Sequence, residues 1–408
     1  MSDVALDPAV LTDPRAHASG EVYEVWRWMR RHAPVHWHSS GTYPGFWSVT
    51  RYEDVRQVYK DPASFSSTRG VMLRPTALGT DPAGGVTLAL SDPPRHGAMR
   101  SLVADLFTGR SARELERQVR ATARTLVRTA VQSGGCDFVH DVAARLTMSV
   151  LGRLLGVPKQ DCEDLLGWMS QSFEAGRPLA THPEFMGFLA ELMDECAQDP
   201  GDDMVSRLVT GTLDGRRLSP AEVLLNCENI IGAAENSGLS LAGGVLAFAR
   251  RPDQWALLVR NREHLPNAVN EILRWTSSAT HSMRTATTEV TLGGRTVAAG
   301  ERVVLWLPSA NRDEEAFTDP DEFRVTRRPN RHLSFGAGPH ACIGGALARV
   351  QSTALLSELL DTGRWFEPIG PAEPVRSVVV GGPAHLPVRV TAFPSDGDAH
   401  GVRPTRTS

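Results

Sequence analysis

The stretch from Ser219 to Ala249 most constrains what this chain can become. Ser219 and Glu222 have capping-box spacing, and Pro220 suits the first helical position. Small and apolar residues then run on until Arg251-Pro252 ends the segment. Some thirty residues of helix span about 45 Å, enough to cross a whole globular protein. The middle breaks the rule of its surroundings, because it reads Gly232-Ala233-Ala234-Glu235-Asn236-Ser237-Gly238. Glycine inside a helix costs about 1 kcal/mol relative to alanine. A polar Glu-Asn-Ser group interrupts an apolar run there, and local rules failing together in a core element point to a functional site.

A second stretch, Phe335 to Arg349, carries chemistry. It reads Phe-Gly-Ala-Gly-Pro-His-Ala-Cys-Ile-Gly-Gly-Ala-Leu-Ala-Arg, with Cys342 at its centre. Gly336, Gly338 and Pro339 disfavour regular structure before the cysteine. The residues after it favour helix apart from Gly344 and Gly345. The expectation is a tight loop presenting one thiol at a helix start, where the dipole favours thiolate. Backbone N–H groups beyond Cys342 are placed to tune the sulfur. Gly344, Gly345, Ala346 and Ala348 leave a low face on which a flat cofactor can lie. A buried structural cysteine beside a glycine-rich turn is the other reading of an isolated thiol.

Phe335, Gly336, Gly338, His340, Cys342, Gly344, Leu347, Ala348 and Arg349 together resemble the heme-thiolate loop of the cytochrome P450 superfamily, in its soluble bacterial, actinobacterial-type form. The resemblance implies a mainly α fold with a small β region. It also implies heme b (iron protoporphyrin IX) between the long central helix and the cysteine helix, with Cys342 as the iron ligand. A thiolate in that place pushes electron density toward iron. The implied function is monooxygenation, one atom of O2 entering a small or medium organic substrate of secondary metabolism.

By the same resemblance, His96, Arg100, Arg284 and His340 hold the heme propionates. His96 and Arg100 are four residues apart and share a helical face. Buried carboxylates need charged or hydrogen-bonding partners, although a His/Arg pair taken alone also fits a solvated face. Glu235 matches the acid of the family's distal helix. Asn236 departs from it, because an amide stands where the family has threonine. An amide still hydrogen-bonds but is a poorer proton donor than a hydroxyl–water relay, and Ser237 lies about 100° further round the helix. Atypical chemistry therefore stands beside ordinary monooxygenation: oxidative coupling, a peroxide-driven reaction or a nitrogen-oxide reaction. A local kink capped by Asn236 is the structural alternative. A non-enzymatic gas binder needs an attached signalling segment, of which the sequence shows no sign.

Other parts of the chain follow in outline. Glu21–His32 and Arg51–Lys60 read as helices, with a β-hairpin over Trp37–Thr50. Ser64–Leu90 has no sustained period and reads as a long loop. The resemblance places this region over the substrate and makes Val71, Met72, Leu73, Arg74 and the Val86–Leu90 run candidate pocket residues; a mobile surface loop is the other reading. Asp92-Pro93-Pro94 opens a helix running through Phe107, and amphipathic helices follow to Leu213. One has the stripe Leu146, Val150, Leu151, Leu154 and Leu155. Others place Trp168, Met169, Phe173, Phe185, Phe188 and Leu189 where the family has substrate-covering helices. Glu271 and Arg274 have the spacing of a surface ion pair; the resemblance makes them structural, tied to the loop Asp319–Phe323 and Arg327-Arg328. Thr276–Met283 reads as irregular, with His281 facing either substrate or solvent. Val290–Leu307 reads as β structure around a Gly-Gly turn, and Val378–Val388 as a final hairpin whose tip reaches the cavity.

Composition excludes several classes. A net charge of −4 over 408 residues argues against nucleic-acid partners. The five cysteines are dispersed and odd in number, which suits a reducing, cytoplasmic compartment rather than a disulfide framework or zinc site. The N-terminus lacks an apolar leader and no later segment reads as a membrane span. Residues 1–408 are expected to form one domain, with 1–15 and 393–408 frayed. No GxGxxG fingerprint follows a strand. Electrons are therefore expected from a ferredoxin and its reductase, docking on a cationic face that includes Arg349.

Overall fold

The computed structural model describes residues 7–74, 81, 83–175 and 179–393. Helices dominate, and the expected long helix runs without interruption over Pro220–Arg250. Its start follows from the local sequence. The Ser219 hydroxyl accepts from the Glu222 N–H at 3.3 Å, and the Glu222 carboxylate accepts from the Ser219 N–H at 2.8 Å. Two donors orphaned at a helix start are thereby satisfied. The helix ends where the Arg251 N–H folds back on Ala247 and Phe248 and Pro252 opens the next helix.

This helix is long and apolar enough to cross a membrane by length and composition, so the reading that no segment qualifies is corrected. It is the core helix of the fold. Leu265–Thr276 crosses it at Gly243 and Gly244, where added Cβ atoms would lie 2.3 Å from Thr276 Cγ2 and 2.8 Å from Ile272 Cγ2. Glycine's penalty inside the helix is offset by this close approach of two elements. The helices Gly109–Gln132, Arg145–Leu155 and Gly345–Asp361 contribute to the same apolar core, and the Leu146 to Leu155 stripe is buried in it. Trp168 packs against Phe188 and Phe185, with ring centroids 5.6 and 6.3 Å apart. The side chain of Phe173 lies outside the described residues.

The β region is a five-stranded sheet in the order Val35–His38, Phe46–Val49, Arg302–Trp306, His281–Ala286, Phe65–Ser66. The hairpin Val35–His38/Phe46–Val49 overlaps the predicted Trp37–Thr50 but starts two residues earlier. His281–Ala286 is a regular strand, against the expectation of irregular chain, because it pairs with Arg302–Trp306 from Thr285↔Arg302 to His281↔Trp306. A three-stranded sheet joins Arg364–Pro368, Pro387–Ala392 and Cys136–Asp137.

Two expectations about the ends are corrected in part. Pro8–Thr12 and Pro14–Ser19 are short helices, anchored by Leu11 and Ala16, which are buried in the cluster that holds Trp26 and Trp306. Phe393 lies edge-on to Trp365 at 5.3 Å. Residues 1–6 and 394–408 lie outside the described residues.

Candidate functional site

The cysteine loop is built by its backbone. The Cys342 N–H donates to Phe335 O at 2.8 Å, the Gly336 N–H to Leu333 O at 2.8 Å, and the Ala341 N–H to Gly338 O at 3.1 Å. Gly338 is obligatory in this shape. Its φ is +69°, and an added Cβ would lie 2.4 Å from the Tyr59 carbonyl oxygen. Gly345–Asp361 then forms the helix, with Gly344 before it.

Cys342 sits at the bottom of a recess. Its surface is accessible, yet protein surrounds the thiol on most sides. Burial pushes its pKa up, against the lowering pull of the Gly344 and Gly345 N–H groups, Arg100 and Arg349. The expected thiolate preference of a helix start is therefore present but outweighed by desolvation in the free thiol. A bonded metal ion reverses that balance, since ligation expels the proton. Arg349 is turned inward. Its guanidinium stacks 4.7 Å over Phe335 and donates to Gly345 O at 3.1 Å, which braces the loop.

His96, Arg100, Arg284 and His340 come together, as the sequence anticipates. The His96 and His340 rings lie 3.9 Å apart. His96 is buried on the helix Arg95–Val103, one turn before Arg100. Arg284 is buried too, 5.5 Å over Tyr59, and donates to Ser282 Oγ at 2.9 Å and Met283 O at 2.7 Å. The His340 pKa is pushed down to about 3 by burial and then by Arg284, His96 and Arg100. Among the described residues no carboxylate forms an ion pair with Arg100 or Arg284, and only Asp92 lends Arg284 a more distant Coulombic pull. A buried cation satisfied only by neutral acceptors is costly. This donor set suits anionic groups, which is the character of the two propionates of heme.

On the central helix, Glu235, Asn236 and Ser237 are all partly buried. No cation or hydrogen-bond donor among the described residues pairs with Glu235. Burial alone pushes its pKa up to about 7. Asn236 Nδ2 donates to Ala233 O at 3.3 Å, while its Oδ1 is buried with no partner. The backbone stays helical through this stretch. Ser278 Oγ donates to the Asn236 carbonyl at 3.0 Å and meets Ser240 Oγ at 3.0 Å, a clamp that sequence reasoning missed. Serines 38 residues apart carry no local signal of such a contact.

Several pocket candidates belong to the frame. Leu73 is core, with its N–H donating to His281 Nε2 at 2.8 Å. His281 Nδ1–H donates to Val378 O at 3.0 Å. The imidazole is thus a buried neutral cross-brace facing neither substrate nor solvent, and burial pushes its pKa down to about 4. Val71 O accepts from the Met283 N–H, Met72 is exposed, and Arg74 is exposed at the edge of the described segment. Val86–Leu90 is held by Asn226 of the central helix, whose Oδ1 accepts from Leu88 N–H at 2.8 Å and whose Nδ2 donates to Val86 O at 3.2 Å. The terminal hairpin reaches the expected region, since Val380 bridges to Ala279.

The cysteine recess, the cation cluster and the acid-bearing central helix together define a heme-thiolate oxidoreductase. The family described as Cytochrome P450 matches residues 247–375. Cytochrome P450 NovI of Streptomyces niveus is 34% identical over 400 residues, covering 96% of this chain and 98% of the relative. A steroid C26-monooxygenase of Mycolicibacterium smegmatis is 34% identical over 355 residues, covering 84% of this chain and 86% of the relative. The crystal structure of P450 OxyD, involved in the biosynthesis of vancomycin-type antibiotics, superposes with a TM-score of 0.87 at 32% identity, covering 94% of this chain and 99% of that one. This chain belongs to the cytochrome P450 family: it is a monooxygenase whose cofactor is heme b.

Proposed function

We propose that this enzyme inserts one oxygen atom from O2 into a small or medium organic substrate of secondary metabolism, with electrons from a ferredoxin and its reductase. Cys342 holds the iron, and His96, Arg100, Arg284 and His340 hold the propionates. The observation that carries the reading is the convergence of those four groups, with no carboxylate ion-paired to either arginine among the described residues, beside an accessible cysteine. When bound, the heme supplies O2 activation, and its thiolate ligand supplies electron density. Glu235, half ionised near neutral pH, takes up and passes on protons at its carboxylate. Asn236 presents its free Oδ1 as an acceptor that orders a water or a substrate hydroxyl, the part a threonine hydroxyl plays elsewhere in the family. Antibiotic pathways are favoured as the source of substrate by the likeness to OxyD.

The test is turnover with ferredoxin, reductase and NAD(P)H on candidate metabolites that perturb the heme spectrum. The reading expects O2 consumption matched to a product heavier by one oxygen. Cys342→Ala abolishes the thiolate spectrum if the assignment is right. The second reading is the atypical chemistry, which rests on the amide at Asn236. It is favoured instead if product forms with hydrogen peroxide alone or without a mass gain, and if Asn236→Thr changes the product.

A further inference from the structure

The chemistry above leaves unused a cluster between the C-terminal hairpin and the π-helical segment Phe138–Ala144. Asp137, His140 and His385 bring one carboxylate oxygen and two imidazole nitrogens within 4.8 Å of one another. His385 is exposed and the other two are half-buried, so an ion has access from solvent. The backbone holds the group in place. Asp137 ends the strand Cys136–Asp137, which pairs with Pro387 and Val388, and it caps the π-helical segment Phe138–Ala144 that carries His140. One Asp137 oxygen accepts from Val139 N–H at 2.9 Å, and the other accepts from His385 Nδ1–H at 2.7 Å. His140 stacks at 4.9 Å from His385. Among the described residues it has no hydrogen-bonding partner of its own.

We propose that Asp137, His140 and His385 form a surface site for a single late first-row divalent ion, zinc above all, which fastens the C-terminal hairpin to the π-helical segment. Zinc binds imidazole nitrogen at about 2.0–2.1 Å and carboxylate oxygen at about 2.0–2.2 Å, which puts the donors of one tetrahedral ion about 3.4 Å apart. The observed spread closes by a small rotation of side chains that are not packed in the core. Two imidazoles with one carboxylate favour zinc, copper or nickel over magnesium or calcium, which take oxygen ligands. Water completes the sphere on the exposed side.

The site's position gives it a consequence. His385 closes the strand Pro383–His385, whose hairpin leans on the central helix at Gly382, where an added Cβ would lie 3.3 Å from Leu239 O. Leu239 is one helical turn beyond Glu235. The π-helical segment meets the same helix at Gly238, opposite Ala143. An ion joining His385 to Asp137 and His140 stiffens the two elements that flank the distal part of the central helix.

The test uses the heme-loaded enzyme, in which Cys342 is occupied, after removal of divalent ions. Zinc is titrated calorimetrically, with magnesium as the control. The proposal expects one equivalent of zinc at micromolar affinity or tighter, no magnesium binding, and at least about 10-fold weaker zinc binding in both His140→Ala and His385→Ala. Zinc is also expected to slow amide exchange at Ala384–Leu386 and Phe138–Asp141 in the parent but in neither variant. Both histidines are at the surface, so an unchanged heme spectrum and metal-free melting temperature confirm that the variants fold. No saturable one-equivalent binding at millimolar zinc, or binding unchanged in either variant, overturns the proposal.

Discussion

Replacing Glu271 with glutamine changes one atom and tests the frame that holds the cysteine loop. Glu271 and Arg274 are both fully buried. Arg274 Nε and Nη2 each donate to the carboxylate at 2.8 Å, Arg327 Nε approaches both oxygens at 3.1 Å, and Asn330 Nδ2 and the Arg324 N–H add bonds of 3.0 and 2.8 Å. One anion thus offsets two guanidinium groups. Arg274 in turn donates to Asn311 O, Pro320 O and Glu322 O. Asn311 Oδ1 accepts from the Leu333 N–H at 2.6 Å, at the threshold of the cysteine loop. In the glutamine variant an amide N–H₂ faces donors, and two buried cations lose their counter-charge. Breaking one partner of a buried pair costs about 3–5 kcal/mol. Unfolding entropy of about 2.1 cal/mol/K per residue over 408 residues is about 0.9 kcal/mol/K, so the melting temperature should fall by roughly 4–6 °C. Heme should also pass faster to a scavenger protein, because the loop is anchored through Asn311. Thermal unfolding and heme-transfer kinetics on Glu271→Gln check both. A shift below about 1 °C with unchanged heme loss would refute the inference that this carboxylate organises the region.

Other consequences are as direct. Gly338→Ala combines a left-handed φ of +69° with a Cβ 2.4 Å from the Tyr59 carbonyl; it should cost about 2 kcal/mol or more and reduce heme incorporation, read from the ratio of heme to protein absorbance. Glu235→Gln should remove the ionisation near pH 7 from the pH–rate profile while leaving the heme spectrum intact, since burial sets that carboxyl at about 7. His281 is held neutral, with a folded pKa of about 4 against an unfolded value of 6.5. Its contribution is fully present above pH 6.5 and is lost as the pH falls toward 4, reaching about 3 kcal/mol. Urea unfolding at pH 7.5 and at pH 4.5 should show a smaller difference between the two pH values in His281→Gln than in the parent.

The residues proposed to face the cofactor are legible because each sits in a local pattern. Cys342 lies in a glycine-punctuated loop, His96 and Arg100 one turn apart, and Glu235 in an apolar helix with no reason to hold a charge. What stayed hidden were contacts between distant segments. His281 read as a substrate or solvent residue, yet its two nitrogens join Leu73 to Val378. Arg349 read as a surface cation and is stacked on Phe335. Nothing within a few residues of either announces its partner.

Local rules acting on the sequence alone settled the long helix with its capping box and the turn that raises Cys342. Capping, glycine dihedrals and helical spacing act over a few residues, so they can be read in line. Tertiary structure alone decided the charge states and the cross-braces. Burial lifts Glu235 to about 7, outweighs the helix start at Cys342 and lowers His340 to about 3. Desolvation depends on what the rest of the chain packs around a group, and no neighbour in sequence records that.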